Sequence, residues 1–150
     1  MKEKTFPPSE FKVTYIHSDQ NKEFQKTWAW LDEVYKGGKG IPAIASISDP
    51  DANGFMVYDG NKRVRHASER EYDLRTLIMF NQADLDTYLA SNTKKWFGIT
   101  DFKELLEFMR IHLQYPHEDQ ELPPEIKAKI QSKEWEWKNK QRKVLWMEDD

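Results

Sequence analysis

The 150-residue chain has no cysteine. That excludes a disulfide framework and any thiolate metal site, and it suits an intracellular, reducing setting. No run of about 18 apolar residues is present, so no membrane-spanning helix is expected. The polar opening Met1-Lys-Glu-Lys-Thr-Phe-Pro-Pro lacks the apolar core of a signal peptide. A soluble, cytoplasmic protein is expected on these grounds. A large excess of one charge is also missing: the net charge is −3 although a third of the residues are charged. This balance argues against a wholesale polyanion binder and leaves room for local basic patches. Aromatic residues, by contrast, are plentiful. Six Trp, six Tyr and eight Phe exceed what an ordinary core needs, and such a surplus often sits where a partner or ligand is contacted.

The length suits one domain, able to bury roughly two thirds of its unfolded surface. Residues 1–10, with Pro7-Pro8, read as an extended lead-in. Alternation of apolar and polar residues over 11–16 predicts a strand. A helix over 19–36, capped by Ser18 or Asp19, aligns Phe24, Trp28, Leu31 and Tyr35 on one face before Gly37-Gly38 stops it. Strands are expected over 43–48, 54–58 and 62–66. The stretch 68–80 carries both a capping-box pattern (Ser68, Glu71) and a buried-strand run, and is read as a strand over 74–80. Helices follow over 82–91, capped by Asn81, and over 101–114, capped by Thr100; the second bears an apolar stripe of Phe102, Leu105, Leu106, Met109 and Leu113. An acidic, proline-containing link over 115–124 leads to a C-terminal helix over 125–146. Together these elements predict a single α+β domain with a small antiparallel sheet packed by helices.

The stretch from Ala43 to Ala67 is the centre of this reading. Asp59-Gly60-Asn61 offers the positive φ of a two-residue turn, which joins 54–58 to 62–66 as a hairpin. Period-two alternation then puts Phe55, Val57, Val64 and His66 on a core face, under the 19–36 and 101–114 helices. Met56, Tyr58, Arg63 and Arg65 fall on the opposite, open face. Arginine forks beside an aromatic on a sheet suit phosphate contact and base stacking, so these four are candidate binding residues.

A second candidate surface lies on the last helix. At about 100° per residue, Ile126, Ile130, Trp137 and Val144 dock on the domain, which leaves Trp135, Arg142 and Trp146 on the opposite stripe for a partner or for self-association. The alternative is a break near Ser132 that turns Trp135 inward. Lys36 and Lys39, in Lys36-Gly-Gly-Lys-Gly40, could offer ammonium and backbone N–H groups to a phosphate, although the stretch follows a helix and lacks the setting of a phosphate-binding loop.

Chemistry-bearing clusters are sparse. His66, Ser68 and Glu69 are the nearest to an acid–base set, but facing-strand phosphoesterase chemistry needs a second His-x-Ser/Thr motif, and the chain has one. The carboxylates at Asp49, Asp51, Glu118 and Asp119 lack the spacing of an oxygen-ligand loop, so no metal and no cofactor are expected. The run Ser18-Asp-Gln-Asn, then Trp28 and Leu31, then Phe102-x-Glu-Leu-Leu-Glu is similar to the NinB group of phage recombination accessory proteins over two helices. The middle of the chain departs from that pattern, and no family is assigned on it.

The residues therefore predict a small, non-enzymatic interaction protein, of the kind phage or mobile elements use as an inhibitor or adaptor, with a protein as its partner. The alternative is a nucleic-acid or nucleotide binder using the Arg63/Arg65 face, with a phosphoesterase as its enzymatic variant. Self-association is expected to use the C-terminal helix.

Overall fold

The structure is a computed structural model describing residues 3–91 and 98–135. It is an α+β domain. Strands β1 (Glu3–Phe6), β2 (Phe11–Lys12), β3 (Ile44–Ser48), β4 (Phe55–Asp59) and β5 (Leu74–Met79) form one sheet in the order β1-β5-β3-β4-β2. The sheet is mixed rather than antiparallel: β1 runs antiparallel to β5 and β3 to β4, while β3–β5 and β2–β4 are parallel. The expected lead-in thus contains an edge strand, with Glu3 opposite Leu77 and Phe6 opposite Leu74. The expected 11–16 strand shortens to Phe11–Lys12. Beyond it, Thr14 is drawn off to Asn61 and Val57, and Ile16 pairs with the 116–118 segment.

Five helices complete the domain: α1 (Lys22–Lys36), α2 (Asn61–Arg70), α3 (Gln82–Ser91), α4 (Phe102–Gln114) and α5 (Pro124–Ser132). Side-chain acceptors fix three of the starts. Asn21 Oδ1 accepts the Phe24 N–H at 2.9 Å, Asn81 Oδ1 that of Asp84 at 2.9 Å and Asp101 Oδ1 that of Glu104 at 2.9 Å. Capping by Asn21 replaces the expected Ser18 or Asp19, and capping by Asp101 replaces Thr100, because each residue used sits directly before its first turn and can reach the third N–H.

The largest departure is at 62–66, which is helix and not strand. Gly60, at φ 120°, turns the chain straight from β4 into α2. A Cβ there would lie 2.4 Å from Ile44 Cγ2, so only glycine fits both the angle and the space. Val64 and Ala67, three apart on α2, bury against Phe11, Ile44, Val57 and Leu74 on one face of the sheet. The other face carries Ala45, Ile47, Met56, Tyr58 and Met79, covered by α3, α4 and α5 through Leu85, Leu105, Phe108, Met109 and Ile130.

Both faces are therefore core. Met56 and Tyr58 are buried, and α4 lies on their side instead of the Val57 side. Leu106 is buried as expected, whereas Trp28 is only half-buried. α1 packs against α2.

α5 ends at Ser132 rather than continuing to 146. Glu134 takes φ 58°, the Trp135 N–H bonds to Ile130 O at 3.1 Å, and the Trp135 ring turns in against Phe108 at 5.5 Å. Trp135 is thus 7% exposed and is no part of an outward stripe. Burying its large apolar ring on α4 outweighs continuing a helix of low amphipathicity. Arg142, Trp146 and the remainder of the expected stripe lie outside the described residues. No helix among the described residues is long and apolar enough to cross a membrane.

Candidate functional site

The β4–Gly60–α2 turn forms one side of a cleft. Asn61, the first residue of α2, accepts the Thr14 N–H on its Oδ1 at 2.8 Å, and Thr14 Oγ1 donates to Val57 O at 2.6 Å, which pins the start of the helix to the segment after β2. In front of this turn lies a cleft of about 280 Å³, lined among others by Tyr15, Thr27, Trp30, Pro42, Tyr58 and Lys62. Trp30 stands at its lip, 48% exposed.

Lys62 is half-buried in the cleft wall. Its ammonium reaches Thr27 Oγ1 only at 3.4 Å. Burial lowers its pKa below the ordinary lysine value, opposed by the carboxylates of Glu23, Glu118 and Asp59. Arg63 is held in place by Ala43 O at 2.7 Å, Pro42 O at 3.3 Å and Asp59 at 3.5 Å.

Glu118 holds the segment that leads from Tyr15 into α1. Its carboxylate accepts from Tyr15 Oη (3.2 Å), Ser18 N (3.0 Å) and Asn21 Nδ2 (2.6 Å). Part of the acidic link after α4 therefore anchors the entry to α1. Asp49 leaves solvent: it is 4% exposed and forms a two-pronged pair with Arg110 on α4 at 2.7 and 2.8 Å, which lowers its pKa.

A second polar cluster sits between α1 and α2. His66 is fully buried; its Nε2 lies 2.7 Å from Asp32 Oδ1 and its Nδ1 2.6 Å from Tyr72 Oη. Arg70 donates to both Asp32 oxygens, at 3.1 and 3.2 Å. An ionised carboxylate only accepts, so Nε2 carries a proton directed at Asp32, while Nδ1 and Tyr72 Oη share the second hydrogen bond. The His66 hydrogen bond, with help from Arg70, lowers the Asp32 pKa. Burial pushes the Tyr72 phenol up to about 12, so it stays protonated at neutral pH. The rings of Trp28 (4.9 Å) and Tyr35 (6.1 Å) close over His66, and Tyr35 stacks on Tyr72 at 4.8 Å. The arrangement resembles an acid–base relay in its partners, but its imidazole has no contact with solvent. It ties α1 to α2.

Of the residues singled out from the sequence, Tyr58 and Arg63 meet at the cleft. Met56 lies in the core, and Arg65 lies elsewhere on α2, stacking over Phe24 at 4.7 Å, donating to His17 O and pairing with Asp19 at 3.7 Å. The four do not share a face, because β4 is covered on both sides and 62–66 is helical. Ser68 and Glu69 are exposed while His66 points inward, so these three do not converge. Lys36 and Lys39 are exposed at and beyond the end of α1, where Gly37 caps the helix.

Sequence reasoning did not single out Trp30, Lys62, Asp32 or Tyr72. The aromatic surplus pointed towards Trp30; Asp32 lies 34 residues from His66 in sequence, and no local pattern links the two. Among the described residues no group of three or more His, Asp or Glu side chains is placed to hold a metal ion. Comparison of the sequence with models of known protein families finds no match, and comparison with curated proteins finds none either.

Proposed function

We propose that this is a non-enzymatic interaction protein that recognises a protein partner at the Trp30 cleft. The observation that carries the reading is a half-exposed tryptophan at the lip of a cleft with aromatic and cationic walls. Tryptophan is among the residue types that dominate binding hot spots, and an adjoining pocket gives a partner side chain somewhere to insert. The burial of His66 supports binding over acid–base chemistry, since a general base must come within hydrogen-bond reach of its substrate. The test is capture from cell lysate, with and without nuclease, by the wild-type chain and by Trp30→Ser. The reading expects a nuclease-resistant partner that the variant loses; capture unchanged by Trp30→Ser would sink it.

One observation favours nucleic acid or nucleotide as a second reading. Lys62 and Arg63 open α2 on the rim of this cleft, with no acidic residue in the helix's first turn. Oligonucleotide binding that weakens steeply with salt, through release of counterions, would support it. A salt-independent or absent response would remove it.

A further inference from the structure

The carboxylates around Lys62 and the depth of its side chain act in opposite senses. Glu23 on α1, Asp59 at the end of β4 and Glu118 after α4 face the amine and favour its charged form, while Arg63, its neighbour on α2, is already engaged by Asp59 and two carbonyls. Burial outweighs the carboxylates, and the amine sits below its ordinary pKa. Such a lysine holds more free base at neutral pH and is the kind that captures carbonyl groups. The cleft it faces, with Trp30, Pro42 and Tyr58 in its walls, offers about 280 Å³. At about 30 Å³ per water this is room for a single ring and its substituents.

We propose that Lys62 is a carbonyl-capturing amine, forming a reversible imine with an aldehyde whose apolar or aromatic body sits against Trp30 and Pro42. The nitrogen lone pair adds to the carbonyl carbon, and the carbonyl π pair moves to oxygen, which takes up the proton the nitrogen sheds. The carbinolamine then loses its hydroxyl together with the hydrogen remaining on nitrogen as water, and the nitrogen lone pair closes the C=N bond as the C–O bond breaks. No oxidant or reductant is consumed. When protonated, the iminium keeps the positive charge of the ammonium it replaces, so Glu23, Asp59 and Glu118 stabilise the adduct as they stabilised the lysine. The assignment stands whether or not Trp30 also contacts a protein.

The test uses the full chain with benzaldehyde as the probe and cyanoborohydride to trap the imine at pH 7, followed by peptide mapping of every benzylated lysine. Lys62 should label severalfold faster than the exposed Lys22, Lys26 and Lys36. Its advantage should vanish above about pH 10.5, where ordinary lysine amines are also free. Trp30→Ala, a change at an exposed side chain, should slow the labelling of Lys62 without touching that of the other three. Labelling of Lys62 at or below the rate of the exposed lysines at pH 7 overturns the proposal, as does a rate indifferent to Trp30. A chain that labels at Lys62 yet captures no partner separates this inference from the protein-recognition reading.

Discussion

The two polar clusters carried by α2 have different fates. Towards the end of the helix, His66 is shut in by Trp28, Tyr35 and Tyr72, and each of its nitrogens has a short hydrogen bond. At the start of the same helix, Lys62 faces a cleft and has a long contact to Thr27. Both are ionisable groups taken from water, but one is satisfied by the protein and the other is only partly so. The difference bears on the binding proposed at the cleft. A buried group with all its partners serves the fold, whereas a desolvated one beside an open cavity is available to a ligand.

Disturbing the element both clusters share should have the largest effect. Gly60→Ala forces a Cβ to within 2.4 Å of Ile44 at φ 120°, and α2 cannot keep its entry. The expected loss is about 3 to 4 kcal/mol in denaturant unfolding, combining the positive-φ and overpacking costs. Next comes His66→Ala, which leaves a void and removes one hydrogen bond each from Tyr72 and from Asp32, although Asp32 keeps Arg70. A cost of about 2 to 3 kcal/mol is expected from the cavity and two lost hydrogen bonds. A melting temperature close to that of the wild type would mean the closed cluster is not the tie between α1 and α2.

Acid sharpens the contrast further. The Asp32 pKa is lowered in the fold, so its contribution is fully present above the ordinary carboxylate value of about 4 and is lost as pH falls through the lowered one. The stability gap between wild type and Asp32→Asn should therefore be constant near neutral pH and shrink below about pH 4; a gap that widens in acid would contradict the assignment. The smallest structural effect is expected at the open site. Trp30→Ser, at an exposed position, should change unfolding free energy by less than about 0.5 kcal/mol while reducing partner capture. A large destabilisation would mark Trp30 as core and remove it from the recognition surface.

Much of this arrangement was legible in the residues. The strands at 44–48, 55–59 and 74–79 and the helices at 22–36, 82–91 and 102–114 follow from apolar spacing and capping residues, because those signals act over a few residues and each is bounded by glycine, proline or a capping side chain. The α+β class follows from them. The candidate site was legible only in part: the aromatic surplus hinted at an exposed tryptophan, and Tyr58 and Arg63 do border the cleft, but the open sheet face expected for them does not exist.

Tertiary structure alone decided the rest. In Lys62-Arg-Val-Arg-His66, Val64 and His66 satisfy a period of two, while Val64 and Ala67 satisfy a helical spacing. The turn signal of Asp59-Gly60-Asn61 tilted the local reading towards a hairpin strand. The helix won because Gly60 can adopt φ 120° against Ile44, because Asn61 is held by Thr14, and because Val64 and Ala67 bury against Phe11 and Val57, all of them contacts with distant or separately folded segments. The parallel pairing of β3 with β5 was equally hidden, since alternation specifies which residues face the core but carries no information on strand direction. Trp135 turned inward for the same kind of reason: its partners Glu104 and Phe108 lie on α4, about thirty residues upstream, and a periodicity read along α5 does not register them.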